Sequence, residues 1–150
     1  MKIFVVGGAG YIGSICVELL LDEGHEVIVF DNLTEGHRRA VDERSAFIGG
    51  DMARREEITR SLLETKPDAV MHFAAHALVG ESMQNPPKSY RNKVYSWINL
   101  LDAMLEADVR RYVISASCPT SGTPQRGPLH ESHHARTHAR APVVERPLQL

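Results

Sequence analysis

Two rhythms alternate along this chain: short, uninterrupted apolar runs, and longer segments in which apolar residues return at helical spacing. The first run, Ile3 to Val6 with Lys2 before it, stops at Gly7. Beyond the glycines, Ile12, Cys16, Leu19 and Leu20 fall at helical spacing, and Gly24 supplies a C-terminal stop. The second run, Glu26 to Phe30, is apolar throughout after Glu26, as a strand buried on both faces of a parallel sheet should be. Ala46 to Ile48 reads as a short third strand, and the charged segment from Arg54 to Thr65 predicts a helix covering one face of the sheet. Pro67 and Asp68 introduce a fourth strand, Ala69 to Phe73. Pro86 and Pro87 open a long helical stretch to about Ala107, in which Val94, Ile98, Leu101 and Leu105 form a stripe read as core. Arg111 to Ile114 is the fifth strand. The alternation predicts an α/β class and a doubly wound parallel sheet of about five strands, with ligands at the carboxyl ends of the strands.

The first strand leads into Gly7-x-x-Gly10-x-x-Gly13. Gly7 permits a tight turn, Gly10 lets backbone approach a pyrophosphate, and Gly13 lets the new helix pack close to the sheet. The helix start then presents free N–H groups and its positive dipole end to phosphates. Asp31 ends the second apolar run about 20 residues on, the spacing of a dinucleotide-binding fingerprint, so the predicted fold is Rossmann-like. No Gly-Lys-Ser/Thr follows the glycines, which removes a P-loop from consideration.

At the sheet edge, Asp31 can accept both hydroxyls of an adenosine ribose, and its charge opposes a 2′-phosphate, which favours NAD over NADP. Capping of a turn is the alternative role for Asp31. Arg38 and Arg39 lie near enough in sequence to serve a 2′-phosphate, which keeps NADP open. Asp51 can accept from an adenine amino group or cap the following helix. His72 and His76 invite a metal or acid–base reading, but no Cys or carboxylate accompanies them at ligand spacing, so no metal site is assigned.

Composition narrows the class without choosing a chemistry. A net charge of −2 over 150 residues carries no nucleic-acid footprint, and no stretch approaches the roughly 18 apolar residues of a membrane span. Strand one begins at once, with no signal-peptide pattern, so a cytoplasmic protein is expected. Cys16 and Cys118 do not make a disulfide framework. From Pro119 onward the chain carries five of its eight prolines and four of its eight histidines. The expected organisation is a dinucleotide-binding domain over 1–118 and a Pro/His/Arg-rich tail over 119–150, disordered or frame-shifted. His130, His133, His134 and His138 in that tail can hold Zn²⁺ or Ni²⁺ weakly, although a solvated segment is the simpler account of them.

Six motifs together carry a family resemblance: residues 7 to 13, Asp31-Asn32-Leu33, Gly50-Asp51, His72 to Ala75, Val79-Gly-Glu-Ser82 and Ser115-Ala-Ser117. The chain resembles the extended short-chain dehydrogenase/reductase superfamily. Within it, the run from Val79 to Gln84 is similar to that of the UDP-glucose 4-epimerases, NAD-dependent isomerases of galactose metabolism. The resemblance implies that Tyr11 and Ile12 cover the pyrophosphate, Asp31 and Asn32 the ribose, and Asp51 and Met52 the adenine. It implies that Phe73, Ala74, Ala75 and Ala77 line the nicotinamide side with Asn92 nearby, and that Ser117 bonds the reacting sugar hydroxyl. Bound NAD then takes a hydride from C4 of the hexose of a UDP-sugar and returns it to the other face, a tyrosine serving as base beside a lysine. A homodimer is among the implied partners.

The same resemblance exposes what is missing. A Tyr-x-x-x-Lys pair belongs beyond Ser117, yet the last tyrosine is Tyr112 and the last lysine Lys93. Ala116, Pro119 and Ser121 replace serine, alanine and tyrosine, Lys93 replaces an asparagine, and Trp97 occupies a usually small position where its bulk risks overpacking. The expectation is an inactive portion truncated before the substrate domain. The rivals are a non-catalytic NAD-binding module, and part of another NAD-dependent sugar-nucleotide dehydratase or epimerase.

Overall fold

The computed structural model describes residues 1–74 and 94–115. It shows β1 (Lys2–Val6), α1 (Tyr11–Asp22), β2 (Glu26–Asp31), a 3₁₀ turn (Arg38–Ala40), β3 (Ala46–Gly49), α2 (Arg55–Thr65), β4 (Ala69–His72), α3 (Ser96–Glu106) and β5 (Tyr112–Ile114). The strands make one parallel sheet in the order β3-β2-β1-β4-β5. β1 is central: the chain winds outward from it in one direction through β2 and β3, then crosses back to β4 and β5. The reversal opens a crevice at the carboxyl end of β1.

The unbroken apolar runs are explained by two cores, one on each face. With a period of two, Phe4, Val6, Ile28, Phe30 and Val70 point to one face, where Ile58 and Leu62 of α2 and Leu100, Ala103 and Met104 of α3 meet them. Ile3, Val5, Val27 and Val29 point to the other, against Val17 of α1 and Val41. Every one of these strand side chains is nearly or fully buried. At about 1.5–3 kcal/mol for each large apolar side chain, the two faces supply the main driving force for the fold.

Two helices present different faces from those the sequence predicts. In α1, Gly13 and Val17 are buried, whereas Ile12 and Leu19 are 59 % and 60 % exposed. Gly13 sets this rotation: it must face the glycine turn, and Val17, one turn later, then faces the sheet. In α3 the buried residues are Ser96, Leu100, Ala103 and Met104, while Ile98, Leu101 and Leu105 of the expected core stripe are exposed. Small Ser96 and Ala103 let the helix settle close, a distinction that apolar periodicity does not register. Trp97 is likewise 37 % exposed and does not overpack the sheet.

Candidate functional site

The cleft lies at the carboxyl edge and is built chiefly by the ends of four strands. Its lining includes Val6, Gly7 and Gly10 at and after the end of β1, Asp31 and Asn32 at that of β2, Asp51 and Met52 after β3, and Phe73 and Ala74 after β4. Thr34, Glu35, Gly36 and Ser96 complete much of the wall.

Gly7 has φ +80°, and a Cβ there would stand 2.5 Å from the amide nitrogen of Ala74. Only glycine lets the end of β4 lie flush against the turn. A Cβ on Gly13 would run into the carbonyl oxygen of Gly7, so Gly13 fits α1 to the turn itself more than to the sheet. Gly10, by contrast, is the helix N-cap and has no side chain to offer the first-turn amides. No acidic residue occupies that first turn. A helix start so left open, lined by glycine backbone, fits an anionic group such as a pyrophosphate.

Asp31 is only 8 % exposed, and both its oxygens are engaged: Oδ2 accepts from the Ala9 amide at 3.0 Å and Oδ1 from the Leu33 amide at 2.8 Å. An ionised carboxylate has about four acceptor sites, so two remain for hydroxyl groups. Turn capping and ligand acceptance, alternatives on sequence grounds, are therefore compatible here. Asn32 Oδ1 accepts from Thr34 N at 3.0 Å, continuing the same lip. The Arg38 guanidinium lies over the Phe47 ring, 4.7 Å from the centroid.

Asp51 does not cap α2, whose N-cap is Arg54. Its Oδ1 accepts from Ala53 N at 2.9 Å, while its own amide donates to Glu57 Oε2 at 2.9 Å. That amide, with the Arg54 guanidinium, holds the Glu57 carboxyl below its ordinary range. Sequence reasoning missed the partner on the other side of this loop, Asn99. Its Nδ2 donates to the carbonyls of Met52 at 3.0 Å and Ala53 at 3.2 Å, tying α3 to the loop after β3. The only available signal was an asparagine within an apolar helical pattern, where it is a poor helix former.

His72, read from sequence as a strand residue, is buried at the end of β4. It joins Tyr112 Oη at 2.7 Å through Nδ1 and the Ala74 carbonyl at 2.6 Å through Nε2. Burial lowers its pKa despite the Ala74 carbonyl, and burial raises that of Tyr112.

Thus Gly7, Gly10, Asp31, Asn32, Asp51, Met52, Phe73 and Ala74 gather around one cleft. Tyr11 and Ile12, the first residues of α1, are exposed, with Tyr11 at 86 %. Ala75, Ala77, Asn92 and Ser117 lie outside the described residues, as do His76 and the tail beyond 118. Among the described residues no three His, Cys, Asp or Glu side chains gather as a metal site, and no helix is long and apolar enough to cross a membrane.

A parallel sheet with a glycine turn and an acidic residue flanking its central crevice defines a dinucleotide-binding α/β protein. The chain belongs to the NAD dependent epimerase/dehydratase family, whose model matches residues 3–142. It is 47 % identical over 131 residues to UDP-glucose 4-epimerase of Lactobacillus helveticus, covering 87 % of this chain and 40 % of the relative. The Streptococcus mutans enzyme is 44 % identical over 134 residues, covering 88 % of this chain and 40 % of the relative. The structure of Brucella ovis UDP-glucose 4-epimerase in complex with NAD superposes with a TM-score of 0.83 at 39 % identity, covering 91 % of this chain and 42 % of that one. That of the Thermus thermophilus enzyme, also with NAD, gives 0.85 at 32 % identity, covering 96 % and 46 %. The chain spans about 40 % of the length of the curated relatives it matches.

Proposed function

We propose that this chain is the NAD-binding portion of a UDP-glucose 4-epimerase-like protein, and that by itself it binds NAD without turning over sugar nucleotides. The observation that carries the reading is Asp31, buried beside the glycine turn with acceptor capacity left over. In this reading Asp31 and Asn32 hold the adenosine ribose, and Asp51 and Met52 the adenine. Gly7, Gly10, Tyr11, Ile12 and Gly13 shape the pyrophosphate seat, and Phe73, Ala74, Ala75 and Ala77, with Asn92, form the nicotinamide side. The charge of Asp31, which opposes a 2′-phosphate, supports NAD over NADP.

NAD, when bound, supplies the acceptor and later the donor of the C4 hydride. The protein's part is to bind and orient it, to shield it from water, and to move the hydroxyl proton. Ser117 is assigned the hydrogen bond to that hydroxyl. The proton itself has no taker in this chain, because no Tyr-x-x-x-Lys pair occurs in the sequence. The substrate class of the whole protein is UDP-hexoses, its reaction the interconversion of UDP-glucose and UDP-galactose in galactose metabolism, and its compartment the cytoplasm. The exposed stripe Ile98, Leu101 and Leu105 on α3 supports a homodimeric whole protein.

Calorimetric titration with NAD, followed by an assay of UDP-galactose formed from UDP-glucose in the same sample, tests the reading. Binding without turnover is expected, with binding lost in Asp31→Ala. Turnover would overturn the argument from the missing pair, and failure of the wild-type chain to bind would overturn the assignment of the cleft. The second reading, a module whose role is NAD binding alone, is favoured by the same missing pair. It is separated by restoring the remaining length of a relative to this chain: an epimerase portion then gains activity, a self-sufficient module does not.

A further inference from the structure

Three side-chain and backbone groups form one chain of hydrogen bonds that ends in the cleft. The Tyr112 hydroxyl of β5 meets His72 Nδ1 on β4, and His72 Nε2 meets the carbonyl of Ala74, a cleft-lining residue. The direction of each bond follows from what the groups can do. A carbonyl only accepts, so His72 Nε2 carries the proton shared with Ala74. Burial keeps the imidazole neutral, which leaves Nδ1 as acceptor for the Tyr112 O–H. Each polar group in this path thereby has a partner, and one tautomer of His72 is selected.

The end of the path matters because of what Ala74 touches. Phe73 N donates to the Val6 carbonyl at 2.8 Å, and the Ala74 backbone lies against Gly7 so closely that no Cβ fits between them. β2 and β4 flank β1 on opposite sides, so Asp31 and Ala74 stand on either side of the glycine turn. A dinucleotide whose adenosine ribose sits at Asp31 must reach past the turn to Ala74 with its other half. We propose that His72, braced by Tyr112, is a positioning residue: by fixing the Ala74 peptide it sets the wall that receives the nicotinamide half of NAD. This rests on the reading of the cleft as an NAD site, and adds to it a residue that touches no cofactor.

The test compares NAD with AMP, which carries only the adenosine half, as calorimetric ligands for the 150-residue chain. His72→Leu should weaken NAD by about tenfold, the loss of one buried hydrogen bond, while AMP affinity stays within about twofold. His72→Gln, whose amide N–H can reach the same carbonyl, should recover most of the NAD affinity. In the unliganded wild type, ¹⁵N NMR should show the Nε2–H tautomer at His72. Unchanged NAD affinity in the leucine variant, parallel losses of NAD and AMP, or an Nδ1–H tautomer would each overturn the proposal while leaving the cofactor reading intact. Should His72→Leu not fold, Tyr112→Phe decides: a selective loss of NAD affinity of about threefold supports the bracing, and no loss overturns it. A wild-type chain that binds AMP but not NAD, or neither, would overturn the cofactor reading and this inference with it.

Discussion

Asp31 Oδ2 accepts the amide of Ala9 at 3.0 Å, linking the end of β2 to the glycine turn that follows β1. The same carboxylate that faces the cleft therefore also holds the turn in shape, and its two roles share one set of lone pairs. Asp31→Asn keeps the size but offers one oxygen in place of two, and turns an NH₂ toward a backbone N–H. Urea denaturation should show a loss of about 1–3 kcal/mol, the cost of an unsatisfied buried donor. A midpoint unchanged from wild type would mean that the Ala9 bond contributes nothing to the fold.

Gly13→Ala inverts the usual helix preference. Alanine in a helix interior ordinarily stabilises by about 1 kcal/mol over glycine. At Gly13 the new methyl meets the Gly7 carbonyl, which is backbone and cannot rotate aside. The variant should unfold at lower temperature than wild type and lose NAD binding. A raised melting temperature would show that the turn has room the geometry denies.

Asn99 ties α3 to the carbonyls of Met52 and Ala53. Asn99→Ala improves helix propensity by a few tenths of a kcal/mol but frees the loop after β3. Amide hydrogen exchange at residues 51–54 should accelerate about tenfold or more, while exchange in β1 stays as in wild type. Equal exchange in the two proteins would remove Asn99 from any part in shaping the cleft.

His72 makes stability depend on pH in a stated direction. Its folded pKa is lowered by burial, so the unfolded chain binds more protons in this range. The contribution is complete above the unfolded value of about 6.5 and is lost as pH falls from there toward the lowered folded value. Melting temperature should drop between about pH 7 and pH 5 in wild type and hold steadier in His72→Gln. Asp42, held at about 2 by Arg44, titrates only at far lower pH. Identical slopes in the two proteins would place the titrating group elsewhere.

Much of the fold was legible because parallel strands buried on both faces cannot hide their pattern: β1, β2, β3, β4 and β5 all lie within one or two residues of the apolar runs that predict them. The glycine spacing and Asp31 were legible for a related reason, since backbone geometry at Gly7 and Gly13 tolerates no other residue. Asn99 and the Tyr112 partner of His72 were not, because both act across sequence separations of about forty residues or more, and no local pattern encodes such a meeting.

By itself, then, the amino-acid order determined the element types, the parallel class and the placing of Gly7, Gly10, Asp31 and Asp51 at the carboxyl edge, since each follows from local periodicity and backbone sterics. Tertiary structure alone decided which stripe of α1 and α3 meets the sheet. Both helices carry more apolar positions than one face can bury, and Gly13, Ser96 and Ala103 settle the rotation by how closely each helix can approach. It also decided that Asp31 joins two strand ends and that His72 reaches Tyr112, because hydrogen bonds between distant residues exist only once the sheet has set the strands side by side.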